Sequence, residues 1–88
     1  TFGDTKSNAA ALAQIMAEQY TAAKNTLDAI ENPDGYTYYL KAIVGARTNN
    51  AAMVAENLVK AAKLDKTLVE KAKKDLEFKK FAAALLNL

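Results

Sequence analysis

The 88-residue chain contains no cysteine, no histidine and no tryptophan. Without cysteine it can form neither a disulfide nor a thiolate metal site, and without histidine it lacks the commonest general base and metal ligand. Its only serine, Ser7, has no histidine to activate it, so a helix-capping role is expected. The glycines Gly3, Gly35 and Gly45 are too far apart to form a phosphate-binding loop. We expect no enzymatic activity and no cofactor.

Long apolar runs are missing as well. A helix that spans a bilayer needs about 20 predominantly apolar residues in succession, and no run in the sequence approaches that length. The sequence therefore predicts no membrane span. No basic segment followed by an apolar one is present, so any signal peptide is expected to lie outside this chain.

Acidic side chains offer the one candidate for a cation site. Asp28, Glu31 and Asp34 cluster around the end of the second predicted helix, and a hard cation such as calcium prefers such oxygen ligands. The alternating ligands of an EF-hand loop and its closing glutamate are missing, however. We therefore predict no metal site, but a solvated helix end followed by an Asp-Gly turn.

The net charge of +2 conceals an uneven distribution. Residues 1–50 carry four basic and five acidic side chains, whereas residues 51–88 carry eight basic and five acidic ones. The lysines of the second half alternate with acids and fall between apolar positions, as on a solvated helix face. Nucleic-acid binding through these lysines is the alternative that the charge leaves open.

What the sequence does contain favours helices. Alanine, leucine, lysine and glutamate dominate, and proline occurs once, which is typical of a single helical domain with short connections. After a lead-in at 1–7, where Asp4 or Ser7 is placed to cap a helix, helix 1 is predicted from Asn8 to near Gln19. The second helix presents a stripe of four apolar positions and stops at Asn32-Pro33-Asp34-Gly35; the stripe is Tyr20, Ala23, Leu27 and Ile30.

The second half continues the same alternation of helix and polar turn. Helix 3 presents residues spaced at three and four, namely Tyr36, Tyr39, Leu40, Ile43 and Arg47. An asparagine of the turn at 48–50 is placed to cap helix 4, which is predicted to end near Leu64. Asp65 or Thr67 begins helix 5, and Thr67 and Glu70 fit a capping box. Asp75 is a start for a last helix, separate from helix 5 or continuous with it, whose apolar face is Phe78, Phe81, Ala82 and Leu85.

The chain also repeats itself. A displacement of 31 residues along the sequence, which we call the repeat shift, superimposes five pairs of positions. The pairs are Leu12 on Ile43, Ala23 on Val54, Leu27 on Leu58, Ile30 on Ala61, and Asp34 on Asp65. Each unit is a helix, a polar turn, a second helix and a turn. Because one helix hairpin cannot bury its apolar stripe alone, stacking of successive hairpins is expected.

These positions resemble the tetratricopeptide repeat (TPR) family, whose units run about 34 residues. The segment from Tyr20 to Ile30, followed by Pro33, is similar to a second TPR helix with its aromatic, small and large apolar positions. The stretches 38–42 and 45–50 are similar to TPR-type segments of Bacteroides-like bacterial proteins. The sequence departs from the family in its shorter repeat, in a short helix 1, in Val54 where alanine is usual, and in Lys66 where proline is usual.

The resemblance covers roughly residues 8–66 and implies an all-α fold. The expected architecture is two antiparallel hairpins, at 8–32 and 35–64, stacked as a short right-handed superhelix with a capping helix pair at 66–88. It further implies a protein–protein interaction or scaffolding module, a monomer or weak homodimer, within a larger bacterial protein of the cell envelope or cytoplasm. A purely structural spacer is the remaining possibility.

The tyrosines of helix 3 carry the only prediction of a binding site. Tyr36 and Tyr39 lie on the apolar stripe and are expected in the core, with their hydroxyls near its rim. Tyr38 lies about 100° further round, beside Lys41. Since the first helix of each TPR hairpin lines the concave groove, the resemblance implies that Tyr38, Lys41 and Arg47 contact an acidic or carboxylate-bearing peptide.

Overall fold

A computed structural model describes residues 7–74 and Phe78. Within these residues it contains α-helices and no strand, so the predicted all-α class is confirmed. The five helices are α1 (Asn8–Met16), α2 (Tyr20–Asp28), α3 (Gly35–Arg47), α4 (Ala51–Leu64) and α5 (Thr67–Lys74). Most of the predicted lead-in and of the last predicted helix, from Asp75 onward, lies outside the described residues.

Polar side chains set the helix starts, largely as the sequence predicts. The Ser7 hydroxyl accepts a hydrogen bond from the Ala10 N–H at 3.1 Å, and the Asn50 side chain accepts one from Met53 at 3.1 Å. Asp34, which was predicted only as part of an Asp-Gly turn, caps α3 by accepting the Thr37 N–H at 2.9 Å, and Gly35 is the first residue of that helix. Each bond satisfies an amide that the helix itself leaves without a partner.

The start of α5 resolves the choice between Asp65 and Thr67. The Asp65 carboxylate accepts hydrogen bonds from the Thr67 N–H at 3.0 Å and from the Thr67 hydroxyl at 2.6 Å. Because the Thr67 hydroxyl is a donor to Asp65, and Thr67 itself lies inside the helix, the predicted capping box with Glu70 does not form. Asp65 is therefore the capping residue.

The two hairpin turns have the same geometry. Glu18 and Asn49, which the repeat shift superimposes, have positive φ angles of 63° and 59°. Immediately after them, the Gln19 N–H donates to the Gln14 carbonyl at 2.8 Å, and the Asn50 N–H donates to the Gly45 carbonyl at 2.7 Å. This is the Schellman pattern of helix termination. This pattern ends α1 at Met16, earlier than the predicted end near Gln19. The prediction missed this end because a glutamate, unlike a glycine, does not indicate a left-handed residue.

Within the second hairpin, α3 and α4 run antiparallel and in close contact. Gly45, near the end of α3, faces the start of α4, where an added Cβ would lie 3.0 Å from the Met53 Cβ and from the Val54 nitrogen. At the other end, Tyr38 lies beneath the Lys60 ammonium of α4. The close approach near Gly45 explains why a residue without a side chain is found there.

The hairpins stack through α3, which contacts each of the other four described helices. Contacts join the start of α1 to the start of α3 (Asn8 with Asp34) and α3 to α5 (Tyr36 with Lys71), so α1 and α5 each meet α3 near its start. Two buried clusters result. One joins α1, α2 and α3, and the other joins α3, α4, α5 and Phe78; Tyr36 and Ile43 pack against both.

Candidate functional site

The side of α3 that carries Tyr38 and Lys41 lies between α2 and α4. There the three helices form a groove of about 390 Å³, which we call the α2–α4 groove; its lining residues are Lys24, Asp28, Lys41, Asn50, Ala52, Met53, Glu56, Asn57 and Lys60. The ammonium groups of Lys41 and Lys60 lie over the Tyr38 ring, at 5.3 and 5.7 Å from its centroid. Both distances are within the range of a cation–π interaction.

The charges of the α2–α4 groove are paired with one another. Asp28 bridges Lys24, at 2.9 Å, and Lys41, at 3.0 Å, while Lys60 lies 3.3 Å from Glu56. Burial raises the pKa of Asp28, but hydrogen bonds and attraction from Lys24 and Lys41 outweigh it, and the pKa lies below its usual value. The ionised Asp28 therefore holds two lysine side chains in place.

The structure brings together two of the three predicted binding residues. Tyr38 and Lys41 are neighbours on the side of α3 that faces the second helices, α2 and α4, and not on the side shared by α1, α3 and α5. Arg47 follows Tyr38 by nine residues, which is about half a turn away around the helix. Its guanidinium lies 3.4 Å from the Tyr20 hydroxyl, outside the α2–α4 groove.

Four charged residues of the groove were not predicted from the sequence as parts of a peptide-binding site, although a signal for them exists. Lys24 and Asp28 are four residues apart, as are Glu56 and Lys60, and this spacing places opposite charges together on a helix. What the spacing cannot show is that α2 and α4 bring these pairs to the same side of α3. That convergence depends on how the hairpins stack.

The other two tyrosines of α3 lie in the joint with α5. Tyr39 is buried and Tyr36 is half-buried, in agreement with their predicted core position. Their rings stack with centroids 6.2 Å apart, and the Lys71 ammonium lies 5.4 and 5.3 Å from the two centroids. These residues therefore join units and do not contribute to the α2–α4 groove.

A second groove, of about 540 Å³, lies between α4 and α5, and we call it the α4–α5 groove. Three apolar side chains line it: Val59, Ala62 and Val69. Four charged side chains also line it: Lys63, Lys66, Glu70 and Lys73. Unlike the lysines of the α2–α4 groove, these lysines form no ion pair or hydrogen bond that involves the described residues.

Two of the three acidic residues considered as cation ligands have other roles. Asp28 is bound by two lysines, and Asp34 caps α3. In the part of the chain that the structure describes, no group of three acidic side chains is placed to hold a metal ion. Over the same residues, every helix is too short or too polar to cross a membrane.

Comparison with known proteins adds no relative. No protein-family model matches the chain, and no match was found among curated proteins or among solved structures.

Proposed function

We propose that this chain is a TPR-like module for protein–protein recognition or scaffolding, built as a short right-handed stack of helix hairpins. The observation that carries the proposal is the repetition of one turn geometry at Glu18 and Asn49, which occupy equivalent positions in the two units. Stacked hairpins of this kind present extended surfaces to partners. The contacts of α1 and α5 with α3 are further support.

The site proposed for a partner is the α2–α4 groove. Lys24, Lys41 and Lys60 outnumber the acids Asp28 and Glu56 there, so the described lining residues together carry one positive charge. The Tyr38 ring does not line the groove itself but lies beneath two of its ammonium groups. This combination suits a segment with a carboxylate, from a glutamate or aspartate or from a chain terminus, because the carboxylate can replace an acid that already pairs with lysine.

The test is titration of the full chain with a short glutamate-rich peptide that has a free C-terminal carboxylate, followed by backbone amide shifts. We expect shifts around Lys41 and Lys60. Replacement Lys60→Met is expected to weaken binding by up to about fivefold, because one exposed ion pair contributes roughly 0.2–1 kcal/mol. Lys74→Met, which removes a lysine that lines neither groove, is the matched control.

Two outcomes would contradict this site. One is equal binding of a glutamine-rich peptide with an amidated terminus, which would remove the role of charge. The other is a set of shifts restricted to α5, since no residue of α5 lines the α2–α4 groove.

The alternative of nucleic-acid binding gains little from the structure. Lys60 lies over Tyr38 on one side of the stack and Lys71 over Tyr36 on another, while Lys63 and Lys66 line the α4–α5 groove. The described lysines thus point to three separate surfaces, whereas a backbone-binding patch concentrates them on one. Binding of DNA or RNA that weakens steeply with salt would restore this alternative.

A further inference from the structure

The side of α5 that lines the α4–α5 groove is equivalent, in the repeat, to a side of α3 that is covered by α4. Moved back by the repeat shift, Lys66, Val69 and Lys73 of α5 coincide with Gly35, Tyr38 and Ala42 of α3. Tyr38 and Ala42 face α4: Tyr38 lies under Lys60, and Ala42 packs in the same cluster as Val54 and Leu58. Gly35 lies where α4 ends and α5 begins, since an added Cβ there would lie 3.0 Å from the Asp65 Cβ and 3.4 Å from the Ala61 carbonyl.

The shape of the expected occupant follows from this correspondence. The face of α3 that carries Tyr38 and Ala42 is covered by an antiparallel helix, α4. The matching face of α5 presents an open groove of about 540 Å³. A helix is therefore the element that fits, and its apolar stripe would cover Val59, Ala62 and Val69.

The charges of the groove specify the flanks of that helix. Among the described lining residues, Lys63, Lys66 and Lys73 stand around the apolar floor with one acid, Glu70, and none of the three lysines is paired with a described residue. Residues 75–88 of the chain itself carry two acids and two lysines, so that segment offers the groove no net negative charge. An acidic helix offers one.

We infer that the α4–α5 groove binds an amphipathic helix of another protein, with glutamate or aspartate on both sides of its apolar stripe. The inference rests on the proposed function of protein recognition but assigns it to a different surface. Binding at either groove can therefore be lost without loss at the other. The helix would continue the stack in the position that α4 occupies in the preceding unit.

The probe is a synthetic peptide as long as α4, 14 residues, with leucines on one helical stripe and glutamates on either side. We expect it to bind the full chain and to shift the amides of Val59, Ala62 and Val69. The double variant Lys66→Glu/Lys73→Glu is expected to weaken binding about tenfold. The same peptide with glutamine in place of glutamate is expected to bind more weakly, and the difference should shrink at high salt.

The matched control is Lys74→Glu, since Lys74 also lies at the end of α5 but does not line the groove. If the single variants Lys74→Glu and Lys66→Glu lost affinity equally, the inference would be overturned, because the affinity would then depend only on the net charge of the protein. So would shifts at Lys41 and Lys60 in place of α5, which would assign the peptide to the α2–α4 groove. Contacts between Val69 and residues 79–88 that persist through the titration would also overturn it, since the chain itself would then fill the groove.

Discussion

Two joints hold the described units together, and equivalent positions in them carry different chemistry. Between α1 and α3, Asn8, Asp34 and Thr37 form hydrogen bonds: the Thr37 hydroxyl lies 2.8 Å from the Asn8 side-chain oxygen, and the Asn8 amide lies 3.2 Å from Asp34. The repeat shift carries these positions to Tyr39, Asp65 and Leu68, between α3 and α5. Tyr39 and Leu68 are buried there and pack in one apolar cluster with Phe78.

The difference shows that one helix arrangement can be supported in two ways. The hydrogen bonds of the polar joint fix direction, because each needs a defined geometry, while the apolar cluster that α1 and α3 share buries aliphatic side chains such as Ile15 and Leu40. The aromatic joint buries large side chains, and the Tyr39 and Phe78 rings meet edge to face with centroids 5.5 Å apart. We therefore expect the two joints to respond differently to truncation and to pH.

Truncation is expected to separate the joints most strongly. Tyr39→Ala should lower the free energy of unfolding by about 3–5 kcal/mol, as for other large buried aromatic residues. Asn8→Ala, at the equivalent position, should cost about 1 kcal/mol, the net contribution of a typical hydrogen bond. Urea unfolding followed by circular dichroism measures both.

Leu64→Ala is the control for the urea experiment, since Leu64 is 58% exposed and its truncation should change little. Equal losses for Tyr39→Ala and Asn8→Ala would contradict the distinction between an aromatic and a polar joint.

Part of the pH dependence of stability should come from the polar joint. The Thr37 N–H is the main cause that lowers the pKa of Asp34 from its ordinary 3.8; burial opposes it, and the Thr37 hydroxyl and Asn8 assist it. A carboxyl whose pKa is lower in the folded protein stabilises the fold at any pH above its pKa in the unfolded chain. This stability is lost as the pH falls through its pKa in the folded protein. The free energy of unfolding should therefore decrease below about pH 3.8.

Asp34→Asn is the informative variant, because asparagine caps a helix about as well as aspartate but does not titrate. It should flatten the acid limb of the stability curve, leaving the part that comes from Asp28, whose pKa is also lowered. Asp34→Ala should cost about 0.5–2 kcal/mol at neutral pH. An unchanged acid limb in Asp34→Asn would exclude Asp34 as its source.

The smallest expected effect distinguishes the two turns. Glu18 and Asn49 both have left-handed backbone conformations, which most side chains disfavour and asparagine tolerates better. Glu18→Gly should therefore stabilise the protein by up to about 1 kcal/mol, and Asn49→Gly by less. Thermal unfolding at constant pH compares the two variants, and a loss of stability in Glu18→Gly would count against the left-handed geometry.

The sequence predicted what is encoded locally. Pro33, Asp34 and Asn50 mark helix boundaries because their backbone and side-chain chemistry acts within a few residues. The left-handed residue Glu18 was not predicted, since glutamate has no preference for that conformation. The sequence also did not show which side of α3 meets which neighbouring helix, because buried residues such as Leu40 and Val44 lie around most of the circumference of α3. Which neighbour each side meets is decided by stacking.

The central claim is that the second hairpin repeats the geometry of the first. The most direct measurement is the backbone conformation of Glu18 and Asn49 in solution, from scalar couplings and chemical shifts, together with hydrogen exchange of the Gln19 and Asn50 amides. The account predicts positive φ angles at both residues and slowed exchange at both amides. A negative φ at either residue, or an unprotected amide after it, would mean that the two units are not built alike.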